Sequence, residues 1–247
     1  MALFWRETDR FLKVWKQTIG APLVSSLLYF VIFGGAIGSK IAAVGGISYL
    51  LFLVPGLAAM GIFQHAFQNT ASSLIQRKML GTMAADLIAL PLTRFQIVAA
   101  NVAAAMVRGI LVGGVILIVA RFFTNFDVAH PIFLFLSFFF LSGIFGILGF
   151  LAGAFLKTFD QISAIGNFLL TPLVYLGGVF FAPSMLPSAW QIAPLFNPIF
   201  YLVDLFRFSL LGVAEGNPHF ALLAAVFLFA GFFWAAMASV KNLSENL

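Results

Sequence analysis

The chain lacks cysteine and carries very little charge. Its 247 residues include no Cys, which excludes disulfide frameworks, thiolate metal sites and thiol nucleophiles. Only 9% of the residues are charged, against roughly 25% in water-soluble domains, and 62% are hydrophobic. So few polar side chains cannot cover a protein surface in water. The composition therefore predicts an integral membrane protein.

Recognisable catalytic and nucleotide-binding motifs are also missing. The three histidines are far apart and show no metalloprotease spacing, and the carboxylates are scattered. The segment GGAIGSK, residues 34–40, has the wrong order and spacing for a phosphate-binding loop. We therefore expect no enzyme activity, no catalytic residue, no metal site and no cofactor on this chain. The net charge of +5 indicates contact with anionic lipids rather than with nucleic acid.

Six apolar segments are long enough to cross a bilayer, which takes about 20 residues each. They cover residues 21–38, 47–66, 96–120, 131–156, 162–182 and 220–240. The sequence thus predicts an all-α membrane protein with one six-span domain over residues 21–247. A cleaved signal peptide is the alternative interpretation of the first segment.

Residues 1–20 have the periodicity of an amphipathic helix lying in the membrane interface. One predicted side is apolar and the other basic, the latter facing lipid headgroups. The apolar side comprises Phe4, Phe11, Leu12, Trp15 and Ile19, and the basic side Arg6, Arg10, Lys13 and Lys16. A loose charged tail is the alternative.

The distribution of Lys and Arg predicts the orientation. With both termini in the cytoplasm, nine basic residues lie inside and three outside, and Arg108 lies within a span. The inner set is Arg6, Arg10, Lys13, Lys16, Arg77, Lys78, Arg94, Lys157 and Lys241, and the outer set is Lys40, Arg121 and Arg207.

The connection between the second and third spans carries helix signals. Within RKMLGTMAADLIALPLTR, residues 77–94, Thr82 is placed to cap a short helix that Pro91 ends. Thr93 and Gln96 then form the pattern of a capping box for the next helix. We therefore predict a structured cytoplasmic loop rather than a disordered tether.

The region 183–218 has five prolines and is too broken for a straight span. Asn197 as N-cap, Pro198 at the first position and Gly212 just past the end predict a helix of about 14 residues. Such a helix is too short to cross, so it re-enters from outside or lies in the outer leaflet. Asp204 and Arg207 are spaced to pair on it.

Polar residues within the spans are the remaining candidates. Arg108 and Asn101 lie on one helical face, which indicates a translocation path or a subunit seam; a structural Arg108 bonding carbonyl groups is the alternative. Gln64, His65, Gln68 and Asn69 either carry the second helix onward into the cytoplasm or mark its solvated end. The pairs Gly34/Gly38, Gly109/Gly113 and Gly149/Gly153 indicate close helix packing, within the chain or at a dimer seam.

Several stretches of the chain carry a family resemblance: FLVPGLAAM (52–60), the loop 77–94, and Arg108–Gly109. The most specific are FDQISAIGNFLLTPLVYLGGVFFAPSMLP (159–187) and NPIFYLVDLFR (197–207). In these stretches the chain resembles the membrane subunits of ABC-2-type exporters, including drug-efflux, nodulation-factor and polysaccharide-export permeases. One departure is that Ala84 and Ala85 stand where members commonly carry acidic residues, with Asp86 beside them.

The resemblance implies a permease that works with separate ATPase subunits, which bind ATP and Mg, and with a second copy of itself or a related permease. It implies an interfacial helix, a cytoplasmic coupling helix and short external re-entrant helices. The implied coupling residues are Gly81, Thr82, Asp86, Leu87, Pro91, Lys157 and Asp160. The implied path or seam residues are Asn101, Arg108 and Asn167, and the external residues are Pro187, Asn197, Pro198, Tyr201, Asp204 and Arg207.

Two other functions remain as alternatives. A self-sufficient secondary carrier would need a coupling-ion site, and spans with so few Asp or Glu offer none. A membrane scaffold without substrate would form complexes but not transport. The Phe-rich spans favour a lipophilic or amphipathic substrate, such as a drug or lipid. Export of polysaccharide or glycolipid by the same class of transporter is the alternative.

Overall fold

The computed structural model describes residues 2–37, 43–44, 46–82 and 92–245, and most of them lie in helices. Within these ranges the only β-structure is an isolated bridge between Val44 and Ile47. Six of the described helices are long and apolar enough to cross a membrane, which confirms the predicted all-α membrane fold. We call them spans 1 to 6: Lys16–Gly34, Tyr49–Met79, Arg94–Arg121, Pro131–Phe155, Phe159–Val179 and Pro218–Lys241.

Further helices lie outside the spans. An N-terminal helix, Ala2–Lys13, precedes span 1. Between spans 5 and 6, a short helix of 14 residues, Pro198–Leu211, makes an angle of 93° with the preceding segment Ser188–Phe196. The helix of span 6 continues to Glu245.

The spans differ in regularity. Spans 2, 3, 4 and 6 are continuous α-helices, whereas spans 1 and 5 alternate between α- and π-helical turns. The π-helical stretches are Lys16–Gly20 and Phe30–Ile37 in span 1, and Gly166–Leu170 and Tyr175–Val179 in span 5. Because π-turns carry one extra residue per turn, they shift the face that the helix presents to its neighbours.

Local signals set the starts of several helices. The Thr93 hydroxyl accepts from the Gln96 N–H, and the Gln96 side chain accepts from the Thr93 N–H, so the predicted capping box is confirmed. Thr158 caps span 5 in the same way, by accepting from the Gln161 N–H. The short helix has Asn197 as its N-cap and Pro198 as its first residue, as predicted. Gly212 follows its last residue with φ +72°, which confirms the predicted stop.

Spans 2, 3 and 4 form the core of the bundle. The rings of Phe63 in span 2 and Phe145 in span 4 stack 4.2 Å apart, and both side chains are buried. Lipid tails are as apolar as leucine, so close packing rather than dehydration holds such helices together. Of the six spans, span 2 is the most enclosed by the others, which places it at the centre.

The glycine pairs serve packing within the chain. A Cβ added at Gly149 would collide with the carbonyl oxygen of Phe67 in span 2, and one at Gly153 would meet Leu74. Gly109 and Gly113 pack against Ile62 in the same way, so for these pairs the intramolecular interpretation is correct. Gly38 lies outside the described residues, so its pair stays a prediction.

Span 2 extends far beyond its predicted end at residue 66. The helix is continuous to Met79, and Ala71, Leu74 and Ile75 are buried against neighbouring spans. The polar residues after 63 lower the hydropathy there but do not end the helix, because tertiary packing covers one face. The open question about Gln64 to Asn69 is thus answered in favour of a continuing helix.

Candidate functional site

A cavity of about 570 Å³ opens between the N-terminal helix, the start of span 1 and spans 2 to 5. The end of the bundle that carries Arg77, Arg94 and Lys157 is called the basic end, and the cavity lies in the half of the bundle next to it. Its polar lining comprises Arg10, Gln17, Gln64, Gln68, Ser72, Arg108, Ser163, Asn167 and Thr171. Aromatic and aliphatic side chains complete the wall. Two of the predicted path residues, Arg108 and Asn167, therefore share one cavity.

The polar wall of span 2 is a regular stripe. Gln64, Gln68 and Ser72 recur every four residues, so they lie on one helical face and all line the cavity. This periodicity was visible in the sequence but was not recognised as a path. Phe63 and Phe67, each one residue earlier, also line it, which gives the wall a mixed character.

Two arginines from different elements meet at one side chain of span 2. The Arg10 Nη2 donates to the Asn69 side-chain oxygen at 3.1 Å and to its backbone carbonyl at 2.7 Å. The Arg108 Nη1 donates to the same side-chain oxygen at 3.4 Å, while the buried Arg108 Nε has no hydrogen-bond partner among the residues that the structure describes. A charge at this depth costs at least about 2.5 kcal/mol on insertion scales. Arg108 lines the cavity itself, and among the described residues it bonds to this buried side chain rather than to the carbonyl groups of the structural alternative.

Asn101 does not line the cavity with Arg108; it lies at a helix seam, which is the other position predicted for it. Its side chain is buried, where it accepts from Arg77 Nη2 at 2.6 Å and donates to the Ile97 carbonyl at 2.7 Å. Helical spacing put the two residues on one face, but the close approach of span 2 covers Asn101. Its contact ties the end of span 2 to span 3.

The N-terminal helix is anchored to span 2 through its polar face. Glu7 is buried; it accepts from Ser73 at 2.5 Å and from the Arg10 Nε at 3.2 Å, and it lies 3.8 Å from Arg77. The prediction that Arg10 faces headgroups is therefore wrong. Periodicity detects an amphipathic helix but not which polar groups the bundle offers it. The predicted apolar side is also divided, since Phe11 is buried whereas Leu12 and Trp15 are exposed.

The predicted coupling loop begins at the basic end of span 2. Gly81 has φ +66°, which turns the chain out of the helix, and the Thr82 hydroxyl donates back to the Arg77 carbonyl at 3.5 Å. Asp86, Leu87 and Pro91 lie outside the described residues, as does the helix predicted between Thr82 and Pro91. Their coupling role stays a prediction.

The second predicted coupling contact lies beside the first. The Lys78 Nζ donates to the carbonyls of Ala154 and Leu156, at 2.7 and 3.0 Å, at the end of span 4. Such terminal carbonyls have no partner within their own helix. The contact brings the exit of span 2 next to the turn that holds Lys157 and Asp160, both of which are exposed. Asp160 lies in the first turn of span 5, where a negative charge complements the helix dipole.

The residues predicted to be external lie together at the opposite end. The Asn197 Nδ2 donates to the Leu173 carbonyl in span 5 at 2.6 Å, and the Tyr201 hydroxyl donates to the Leu195 carbonyl at 2.9 Å. Pro187 precedes the turn Ser188–Trp190 and lines a separate apolar groove. These contacts fix the short helix against span 5.

A buried charge pair joins span 5 to span 2 at this end. Arg207 and Asp204 lie 3.7 Å apart, which confirms the predicted pair. The Arg207 Nη2 donates to the Gly178 carbonyl at 2.6 Å, and its guanidinium lies 3.9 Å from the centre of the Phe52 ring. Asp204 accepts from the N–H groups of Glu215 and Gly216, ahead of span 6. Span 2, span 5 and the segment ahead of span 6 therefore all contact the Asp204–Arg207 pair.

Comparison with known proteins identifies the family of the chain. The model of the family described as ABC-2 type transporter matches residues 1–211. The chain belongs to the ABC-2 type transporter family. It is thus a membrane transporter subunit, and the resemblance seen in the sequence is confirmed.

Two curated relatives in this family illustrate the similarity. The chain is 38% identical over 223 residues to the inner membrane transport permease YadH of Escherichia coli (strain K12), with 87% of each chain covered. It is 27% identical over 213 residues to nodulation protein J of Rhizobium leguminosarum bv. viciae, with 82% of this chain and 80% of that protein covered. Both matches span most of the six-span region.

Proposed function

We propose that this ABC-2 family chain is the permease subunit of an exporter that moves a lipophilic or amphipathic substrate, such as a drug or lipid, out of the cytoplasm. A separate ATPase subunit, which binds ATP and Mg, powers it. The chain lies in a bacterial inner membrane with both termini in the cytoplasm. Its YadH relative is named an inner membrane transport permease, which supports this location.

The observation that carries the proposal is the continuity of span 2. One unbroken helix, Tyr49–Met79, holds the polar stripe of the cavity and ends two residues before Gly81. From Ser72 to Met79 the distance is only about 10 Å at 1.5 Å per residue. A push on the loop after Gly81 therefore moves the cavity wall directly. This links the site of ATP-driven force to the substrate path.

The Lys78 contact extends this coupling to span 5. Because Lys78 holds the end of span 4, motion of the span 2 exit also reaches the turn at Lys157 and Asp160, from which span 5 begins. Spans 2 and 5 both line the cavity. We infer that the ATPase contacts both the loop 81–91 and residues 157–161.

A second permease copy, or a related chain, completes the path in this proposal. The candidate surface includes the sides of spans 1 and 5, where apolar side chains are exposed, among them Leu28, Val31, Phe168 and Leu176. Lipid also covers such surfaces in a bilayer. Crosslinking between copies in native membranes would show that a second permease, rather than lipid alone, covers this surface.

The orientation is tested by single-cysteine labelling, because the chain contains no cysteine. Thr82→Cys places a thiol at the basic end and Phe122→Cys places one at the opposite end, both at exposed positions. A membrane-impermeant maleimide added to intact cells is expected to label Phe122→Cys only. Labelling of Thr82→Cys from outside would contradict the proposed coupling.

Energy coupling is tested by isolating the chain with its partners from native membranes and reconstituting the complex in liposomes. We expect an ATP-hydrolysing subunit to co-purify and a fluorescent amphiphile to move only with ATP. Lys78→Met is expected to lower the amount moved per ATP hydrolysed, and Arg121→Met, at the opposite end, is the control. Transport by the purified chain alone under an ion gradient would contradict the proposal.

A further inference from the structure

The lining of the cavity is cationic on one side. Arg10 and Arg108 reach it from the N-terminal helix and from span 3, and both donate to the side-chain oxygen of Asn69. Two guanidinium groups at one oxygen atom repel each other, and a nearby anion would offset this repulsion. Among the described residues that line the cavity there is no Asp or Glu.

The Glu7 carboxylate bonds to Arg10, but it does not neutralise Arg108 as well. Glu7 bonds to the Arg10 Nε and lies beside Arg77, but it does not line the cavity. Arg108 makes no ion pair with any described residue, and its Nε has no hydrogen-bond partner. One partly buried positive charge at the cavity is therefore left without a counter-charge in the described part of the chain.

Next to the cationic groups, the cavity wall is aromatic. Phe63, Phe67, Phe145 and Phe159 line the same space, and Leu170 and Val174 of span 5 extend it away from the basic end. A ligand that fills it meets charge at one end and hydrocarbon along its length. Glutamine and serine side chains between the two supply further hydrogen-bond donors.

We propose that this cavity selects amphiphiles with an acidic headgroup, phosphate or carboxylate, which Arg108 and Arg10 bind while the alkyl portion lies against the phenylalanines. The proposal rests on the proposed transport function and narrows its substrate class. Arg108 is the specificity-determining residue, because its charge is otherwise unbalanced. Guanidinium groups bind phosphate and carboxylate through charge-assisted hydrogen bonds, which are stronger than neutral ones.

The test measures binding to the full chain in nanodiscs of zwitterionic lipid. The probes are dodecyl phosphate, dodecanoate and dodecyltrimethylammonium, each carrying the same fluorophore at the chain end. We expect the two anionic probes to bind about tenfold or more tightly than the cationic probe, the factor expected for one charge-assisted hydrogen bond. Equal affinity for anionic and cationic probes would overturn the proposal.

Two variants at Arg108 isolate the charge. Arg108→Gln keeps a donor for Asn69 but removes the charge, and it is expected to lose most of the preference for anions, whereas Arg108→Lys is expected to retain it. Arg121→Gln, at the opposite end, is the matched control and should bind as the wild type does. An unchanged preference in Arg108→Gln would contradict the assignment.

Measurements on the wild type keep the test valid if a variant does not fold. Raising the salt concentration is expected to weaken anionic probes selectively, because ions screen the guanidinium charge. Competition by phosphatidylglycerol in the nanodisc would identify a membrane lipid as an occupant and support the proposal. Competition by inorganic phosphate at the probe's own concentration would show that the alkyl chain adds nothing, and would overturn it.

Failure of this inference is distinguishable from failure of the proposed function. ATP-driven transport without any preference for acidic headgroups would remove the inference alone. A preference for anions at Arg108 in a chain that neither binds an ATPase nor transports would remove the proposed function and leave the site.

Discussion

The core spans and the outer spans of this permease are built differently. In the most apolar 18 residues of span 2, 78% of the residues are buried. The corresponding shares are 22% in span 1 and 28% in span 5. Span 2 is a continuous α-helix, whereas spans 1 and 5 contain π-helical turns. The cavity lies between the two classes, with span 2 on one side and span 5 on the other. The regular spans 2, 3 and 4 form the core, and the irregular spans 1 and 5 lie outside it; span 6 is also regular, but only 17% of its most apolar stretch is buried.

The largest expected loss of stability comes from removing the Arg207 contacts that join outer span 5 to core span 2. Arg207→Met removes the contacts with Asp204, with the Gly178 carbonyl of span 5 and with the Phe52 ring of span 2. We expect a loss of about 3–5 kcal/mol, as for other broken buried pairs. The measurement is the free energy of unfolding in detergent.

Arg121→Met provides the comparison for that loss. Arg121 and Asp127 form an exposed pair with 3.7 Å between them. Such exposed pairs contribute little to stability, because water and salt screen them. If both variants lost equal stability, Arg207 would not be the tie between span 5 and span 2.

A smaller effect is expected from adding a methyl group to the core. Gly149→Ala places a Cβ against the Phe67 backbone, which cannot move aside, so we expect a loss of about 1–3 kcal/mol. In Gly166→Ala in span 5 the added Cβ meets no atom of the described residues within 4 Å, so the variant should gain up to about 1 kcal/mol from helix propensity. Thermal unfolding of both variants measures this difference. A destabilised Gly166→Ala would mean that span 5 is packed as tightly as the core.

The attachment of the N-terminal helix to the core is tested by Glu7→Gln. The change weakens the bonds with Ser73 and Arg10, and we expect a loss of about 1.5–3 kcal/mol, the value for hydrogen bonds to charged groups. Limited proteolysis should then cleave near the N-terminal helix more rapidly. Asp9→Asn on the same helix is exposed and should leave the cleavage rate unchanged.

The smallest expected effect comes from removing one helix cap in a core span and one in an outer span. Thr93→Ala and Thr158→Ala remove equivalent caps from span 3 and span 5, each of which contributes about 1 kcal/mol. In the core we expect global stability to fall, and in span 5 we expect only local opening to increase. Hydrogen exchange at the first turns of spans 3 and 5 measures both. Identical exchange behaviour would contradict the distinction between core and outer spans.

Local sequence signals predicted much of the fold and part of the site. The caps at Thr93 and Asn197, the glycine at 212 and the pair Asp204–Arg207 all depend on residues within a few positions of one another. The six spans follow from hydropathy in the same way. The cavity was predicted less well: Arg108 and Asn167 were identified, whereas the stripe Gln64, Gln68 and Ser72 was not recognised.

The sequence by itself determined the class, the number of spans, the caps of two helices and the family, because composition, hydropathy and capping act over short stretches of chain. Only the tertiary structure decided that Arg10 turns inward, that Asn101 is covered, and that span 2 continues to Met79. Each of these outcomes depends on a partner more than 20 residues away in sequence. Helical periodicity gives the direction of a side chain, but the neighbouring helix decides what that side chain meets.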